Sequence, residues 1–453
     1  MKHHHIRNLS LRSFCSVCLI GIAAVVFMIT GCAQEEVAEP FQPRASHSRY
    51  VEGLQKMELA DTAIGRKWIE ASERVLENPV EIELPFREQV FFDPSAPDAA
   101  GYEFESQRGR AIRISIDFAQ QSELRLFVDL FRVEDDGKEL VQVASYDRDE
   151  NLLEFEPKRD NRYILRLQPE LLRGGRYTIS IDENPVLAFP VEGKGMRDIH
   201  IFFGDPRDGG RRLHEGVDIF AARGTPVLSV SEGTVWRVGT RELGGKTVVV
   251  RDASRGFNYY YAHLDVQYAE RGQKVVPGDL LGAVGNTGNA ITTPPHLHFG
   301  IYAARWQALD PWNFLKPGTG LPASLPLAQY SLENYMRTTR EVEAGLGTGI
   351  PSGAVVRIVA AGTDGLRVHL PGHQGQDKIV ELEYEDIESL EQPLETEGSL
   401  TVAGNSYLYS TPAANGDAVT ELSNSSELTL LGLNGSFYYV ETPQGQRGWL
   451  PQG

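Results

Sequence analysis

The chain has three cysteines, and none lies beyond residue 32. Cys15, Cys18 and Cys32 all fall at the N-terminal end. The rest of the chain therefore has no thiol for a disulfide, a cysteine-ligated zinc or a cysteine nucleophile, and its stability must come from ordinary cores. Basic residues are also short: 44 Lys and Arg stand against 62 Asp and Glu, for a net charge of −18 and a pI near 5.1. This balance argues against nucleic acid as a partner, because binding it needs a basic footprint. Long apolar runs are scarce, the one exception being residues 14–30. A composition of 41% hydrophobic and 9% aromatic residues is too apolar for a disordered chain. At 453 residues the chain exceeds what one core organises, so several domains are expected.

The single apolar run explains itself. Lys2, Arg7 and Arg12 precede "FCSVCLIGIAAVVFMIT", which ends in "ITGC" at Cys32. A basic stretch, an apolar stretch and small residues before a break make a secretory signal over residues 1–31. The run is short for a membrane span. "ITGC" resembles the lipobox of bacterial lipoproteins, which implies cleavage after Gly31, acylation of Cys32 and attachment to a lipid membrane. Each buried CH₂ of the acyl chains contributes about 0.8 kcal/mol. The "HHH" at residues 3–5 is lost with the signal. Cleavage removes three positive charges and no acids, leaving the mature chain near −21, that is −18 minus 3. In a diderm cell Ala33 after Cys32 favours the outer membrane, with the protein facing the periplasm.

Residues 32–47 are polar and contain Pro, as a tether would. Over 48–78, Leu54, Met57 and Leu59, then Ile64, Trp68, Ala71 and Val75, recur at helical spacing. One or two helices ending before Pro79 are expected, with Trp68 in the core. Over 79–185 the period becomes two, as in "AIRISIDF" and "ELRLFVDLFRV", which predicts a β-sandwich. It resembles accessory sandwich domains of secreted peptidases, in architecture only. Glu134 and its acidic neighbours read as a solvated loop. Residues 195–317 are Gly-rich with short strands and predict a compact antiparallel β-domain. After a Pro-rich linker come two related stretches, at 345–391 and 396–453. Both read as small β-barrels, and "YLYSTP", "VTEL", "YYVET" and "GWL" in the second resemble bacterial SH3-like modules. Such modules bind wall peptide or glycan, or act as spacers. The fold class is therefore mainly β and multidomain.

Four histidines gather in the Gly-rich domain: His214, His263, His296 and His298. His296 and His298 are two apart, so on a strand both rings face one side while Leu297 packs the other way. They are either strand histidines or a metal ligand beside a non-ligand. His214 and Asp218 are four apart. "HE" at 214–215 is not the His-Glu-x-x-His of a helical zinc site, since the fifth residue is Asp218 and Gly216 disfavours the helix. Glu215 therefore reads as a surface residue.

"HEGVD" (214–218), "YAHL" (261–264) and "HLHFG" (296–300) resemble, in order, the three signatures of lysostaphin/LytM-type zinc metallopeptidases. The resemblance spans about residues 196–316. Gly300, where many relatives carry Glu, and the longer "NAITTPP" approach to His296 are its departures. It implies that His214, Asp218 and His298 hold one zinc ion, with His263 and His296 as an uncoordinated catalytic pair. Three protein ligands leave a fourth position for water. Two neutral imidazoles and a carboxylate leave a charge of about +1, which lowers the pKa of such a water toward about 7. One histidine then moves a proton and one stabilises the oxyanion. Tyr261 reads either as groove lining or as a packed aromatic. His200 reads as structural, Asn286 as a turn residue near substrate, and Arg207 as a structural or groove residue.

The expected function is hydrolysis of peptide crosslinks in peptidoglycan. Two alternatives are a non-catalytic wall-binding regulator or amidase activator, and a peptidase of other Gly-rich proteins. All five groups are kept, which favours the enzyme. The bond cut, the wall module's ligand and any cell-envelope protein partner are not legible.

Overall fold

Strand alternation organises the molecule, a computed structural model that describes residues 46–118, 126–134, 137, 139–145, 152–322, 325, 332, 334–343, 349–363, 365–370, 378–391, 393–394, 399–413 and 416–452. The signal, Cys32 and nearly all of the tether lie outside the described residues. No helix among the described residues is long and apolar enough to cross a membrane. The chain is mainly β in several sheets, as its sequence leads one to expect.

One compact unit ends at Thr62 and contains the helix His47–Lys56, capped by Ser46, whose hydroxyl accepts from the Arg49 amide. The second unit begins with the helix Ala63–Glu77. Its face of Trp68, Ala71 and Val75 is buried. Trp68 donates its indole N–H to Pro169 O at 2.8 Å, which satisfies the polar end of a buried ring. At Gly101 a side chain would collide with Val75 O, so this glycine lets the helix lie directly on the sheet.

Residues 80–185 form two packed sheets. One is five-stranded, in the order Val80–Glu81, Ala100–Ser106, Asn161–Pro169, Leu126–Val133, Leu140–Ser145. The other contains Phe86–Phe92, Gly175–Pro185, Arg110–Phe118 and Leu152–Phe155, and it does not stop there. Phe86–Phe92 also pairs antiparallel with Val355–Gly362, so strands from the first C-terminal stretch extend the same sheet. A buried triad rivets this junction. Arg367 holds Glu88 through Nε at 2.9 Å and through Nη2, while Tyr102 donates to Glu88 at 2.5 Å. Burial opposes the charge on Arg367, yet the Glu88 carboxylate outweighs it and raises the guanidinium pKa. The second C-terminal stretch makes its own six-stranded sheet, with Trp449 fully buried against Tyr439.

Between these parts lies the Gly-rich domain. Its large sheet runs in the order Ile199–Ile201, Val217–Phe220, His296–Tyr302, Phe257–Leu264, Gly245–Asp252, Gly233–Arg241, Lys274–Val275. Every neighbouring pair is antiparallel. Leu297, Phe299 and Ile301 point to a core shared with the small sheet Pro226–Leu228, Leu280–Ala283, Val266–Gln267. The opposite face floors an open groove of about 870 Å³. The sandwich grips this domain at the 252–257 hairpin, where Arg255 forks onto Glu156 at 2.9 and 3.0 Å. That hairpin lies at the end of its strands remote from His263, and all the groove's lining residues fall within 201–306.

The triad generates a prediction. Arg367→Leu leaves Glu88 buried and unpaired, which costs about 3–5 kcal/mol, whereas Glu88→Leu combined with Arg367→Leu restores most of the loss. Urea unfolding measures both; equal loss in the single and double variants would contradict the assignment.

Candidate metal centre and peptide groove

Two neighbouring strands bring the first three groups together. Asp218 and His298 are paired across Val217–Phe220 and His296–Tyr302, and His214 sits in the loop just before. His214 Nε2 lies 2.9 Å from His298 Nδ1, and each lies 3.0 Å from Asp218 Oδ1. The loop comes this close because residue 216 is glycine: a Cβ there would meet Phe299 O at 2.4 Å and the His298 ring at 2.9 Å.

The tautomers follow from the partners. His214 Nδ1–H donates to Phe202 O at 2.8 Å, which leaves the Nε2 lone pair facing Asp218 and His298. His214 Nε2, Asp218 Oδ1 and His298 Nδ1 thus converge in a nearly equilateral triangle with sides of about 3 Å; His298 Nδ1–H donates to Asp218 Oδ1 and would give up that proton to an ion with ligands at about 2.0–2.2 Å. Two nitrogens, one oxygen and an open groove side fit a catalytic zinc. Burial opposes ionisation of Asp218, but the imidazoles of His214 and His298 set against it outweigh that and hold the carboxyl far below its ordinary range. Its second oxygen accepts from Arg207 at 2.6 Å, so Arg207 positions the carboxylate.

His263 and His296 border the same point. His296 Nδ1–H donates to Pro294 O at 2.9 Å, and its Nε2 lies 3.9 Å from Asp218. His263 Nδ1–H donates to Thr287 O at 2.8 Å, and the His263 and His296 ring centroids are 5.0 Å apart. Burial, reinforced by His298, pushes the pKa of His263 down to about 4, so its imidazole is neutral near pH 7. Both rings present a free Nε2 to the groove.

His263 has φ of +60°, a left-handed conformation that breaks strand alternation. This settles the choice left open at Tyr261. Tyr260 and Ala262 line the groove, while Tyr261 is fully buried, its hydroxyl accepting from the Val230 amide. The strained turn is held by His263 N–H donating to Gly244 O and by Thr287, whose hydroxyl donates to Leu264 O. Thr287 and Gly244 are absent from the motif reading. Their contribution runs mainly through backbone carbonyls, which have no residue signature.

The remaining candidates separate. His200 is exposed and stacks on Phe220, which in turn stacks on His296. Asn286 donates to Ile291 O and Thr293 O and so braces the loop leading to His296. Glu215 is exposed at the groove rim, 3.4 Å from the Tyr302 hydroxyl. Gly300 permits that contact, because a Cβ there would lie 2.9 Å from the Tyr302 ring.

Residues 212–311 match the model of peptidase family M23, a span that holds all five groups. An L-Ala–D-Glu endopeptidase of Bacillus subtilis is 38% identical over 141 residues, covering 28% of this chain and 43% of the relative. Glycyl-glycine endopeptidase ALE-1 of Staphylococcus capitis is 35% identical over 107 residues, covering 23% and 29%. Lysostaphin of Staphylococcus staphylolyticus is 34% identical over 108 residues, covering 23% and 22%. The chain thus spans less than half the length of each of these relatives. The matched segment is an M23 peptidase domain of the lysostaphin/LytM type, and as such a zinc metallopeptidase domain.

Gly216→Ala is expected to weaken zinc binding about 10–100-fold by displacing the His298 ring. Gly239→Ala, which faces open space, should leave it unchanged. Competition with a chromophoric chelator measures both; equal affinities in the two variants would contradict the packing argument.

Proposed function

We propose that this chain is an exported, lipid-anchored zinc endopeptidase that hydrolyses peptide crosslinks of peptidoglycan. The observation that carries the reading is the convergence of His214, Asp218 and His298 beside two histidines with free Nε2 atoms in one open groove. The M23 match and the names of its relatives support the substrate class: two are endopeptidases, one named for an L-Ala–D-Glu bond and one for glycyl-glycine. The signal at 1–31 and the acylation motif at Cys32 support export and anchoring, with an outer-membrane, periplasm-facing location in a diderm cell. The module at 396–453, read as SH3-like, would hold the chain on wall material, and the sheet at 335–389 would link it to the sandwich.

In this reading His214 Nε2, Asp218 Oδ1 and His298 Nδ1 hold the zinc. Bound there, zinc supplies Lewis acidity, polarising a peptide carbonyl and lowering the pKa of a water toward about 7. Asp218 stays ionised, and Arg207 keeps its free oxygen from rotating inward. His263 is neutral and desolvated, so its Nε2 can accept the water proton and return it to the leaving amine. His296, its ring centre 5.0 Å from that of His263, would steady the oxyanion by donating from Nε2 in its protonated form. Pro294 and Thr287 carbonyls keep both rings from turning. The groove, about 870 Å³ in volume, has room for a chain on both sides of a scissile bond, which suits an endopeptidase.

The test is digestion of purified peptidoglycan by the zinc-loaded protein, with soluble muropeptides identified by mass spectrometry. Crosslink-cleaved products are expected. His298→Ala should abolish both metal binding and cleavage. His263→Ala should keep the zinc and slow cleavage about 10²–10⁴-fold. Wild-type protein that binds zinc and wall but releases nothing would replace the enzyme with a wall-binding regulator.

A further inference from the structure

The wall of the groove facing away from the zinc ligands is basic and aromatic, on a chain of net charge −18. Arg237 and Arg241 lie on the strand Gly233–Arg241 and line the groove. Neither side chain has a carboxylate partner among the described residues. The strand is bulged between Val235 and Arg237: Val235 pairs with Val250 and Arg237 with Val249, leaving Trp236 as the extra residue. A regular strand would send Trp236 and Arg237 to opposite faces. The bulge turns both into the groove, with the Arg237 guanidinium 4.6 Å from the Trp236 ring centre.

A second tryptophan is brought to the same place at a conformational cost. Arg305 and Trp306 have φ of +57° and +60°, two consecutive non-glycine residues in the left-handed region. Such strain persists only where surrounding structure enforces it, and it gathers at binding sites. Here it lays Trp306 5.9 Å from Trp236 and 5.3 Å from Tyr302. Both tryptophans remain more than a third exposed, so the platform is open to a ligand.

The register measures the distance to the chemistry. Arg237 opposes Val249, Val249 opposes Tyr260 and Tyr260 opposes Gly300, one row of the groove floor. Three strand spacings of about 4.8 Å separate the Arg237 strand from the His298 strand, roughly 14 Å. An extended peptide covers that in about four residues.

We infer that Trp236, Arg237, Arg241 and Trp306 form a specificity subsite for a substrate peptide bearing free carboxylates roughly 14 Å from the scissile bond. This rests on the proposed peptidase reading and narrows it. The occupant is an acidic stem peptide, whose D-glutamate and diaminopimelate carboxylates meet the guanidinium groups while its backbone lies on the indoles. An uncharged glycine bridge would leave the arginines unused.

Isothermal titration calorimetry of the zinc-loaded full chain tests this without depending on turnover. The probes are a synthetic L-Ala–D-Glu–diaminopimelate–D-Ala tetrapeptide, the same peptide with every carboxylate amidated, and pentaglycine. The acidic tetrapeptide should bind at least about 10-fold more tightly than the other two, the worth of a charge-assisted contact. Arg237→Gln with Arg241→Gln should erase that preference without shifting the thermal midpoint or zinc affinity. Equal binding of acidic and amidated peptides, or an unchanged preference in the double variant, would overturn the subsite. Preferential binding with no cleavage of peptidoglycan would sink the peptidase reading and leave the subsite standing. Cleavage without preference would do the reverse.

Discussion

Three hydrogen bonds from imidazole to backbone carry the rest of this site. His214, His263 and His296 each give their Nδ1 proton to a main-chain carbonyl, of Phe202, Thr287 and Pro294 respectively. A neutral imidazole that donates from Nδ1 must present a lone pair at Nε2. The three bonds therefore choose the tautomers and stop the rings from rotating. One of the lone pairs joins His298 Nδ1 and Asp218 Oδ1 at a single point, and the other two border it. Without these carbonyls the same five side chains could hydrogen-bond to one another and close the site.

The fold is arranged to keep those carbonyls in place. The strand His296–Tyr302 sends its odd-numbered residues into a dry core and its even-numbered ones into the groove. Loops that carry Thr287 and Gly244 interlock, since Lys246 N–H donates to the Thr287 hydroxyl and Asn289 N–H to Leu243 O. Gly245 at φ +59° allows this approach, because any side chain there would overlap Thr287. The sandwich and the composite sheet are anchored to the far end of the same strands, through Arg255 and Glu156. They brace the domain where the chemistry is not, and the lining of the groove comes entirely from 201–306.

Much of this was legible in the sequence, and the limits have physical causes. His296 and His298 stand two apart, so the strand period alone puts both on one face, whereas His214, Asp218 and His263 were legible only through the resemblance of their motifs to lysostaphin/LytM-type peptidases. Tyr261 could not be placed, because period-two reasoning assumes a regular strand and His263 is left-handed. Trp236 and Arg237 share a face only because of a bulge, which depends on the partner strand. The pairing of Glu88 with Gly362 joins segments far apart in the chain, and no local pattern encodes such a partner. The carbonyls of Phe202, Thr287 and Pro294 are invisible to any motif, because every residue has one.

The central claim is that His214 Nε2, Asp218 Oδ1 and His298 Nδ1 hold one zinc ion. Anomalous scattering at the zinc edge from crystals of the zinc-loaded protein tests it most directly. A single peak within about 2.0–2.2 Å of those three atoms, with His263 and His296 uncoordinated, is the result expected. A peak ligated by His263 or His296 in place of one of the three, or none in this groove while zinc is bound elsewhere, would contradict the account.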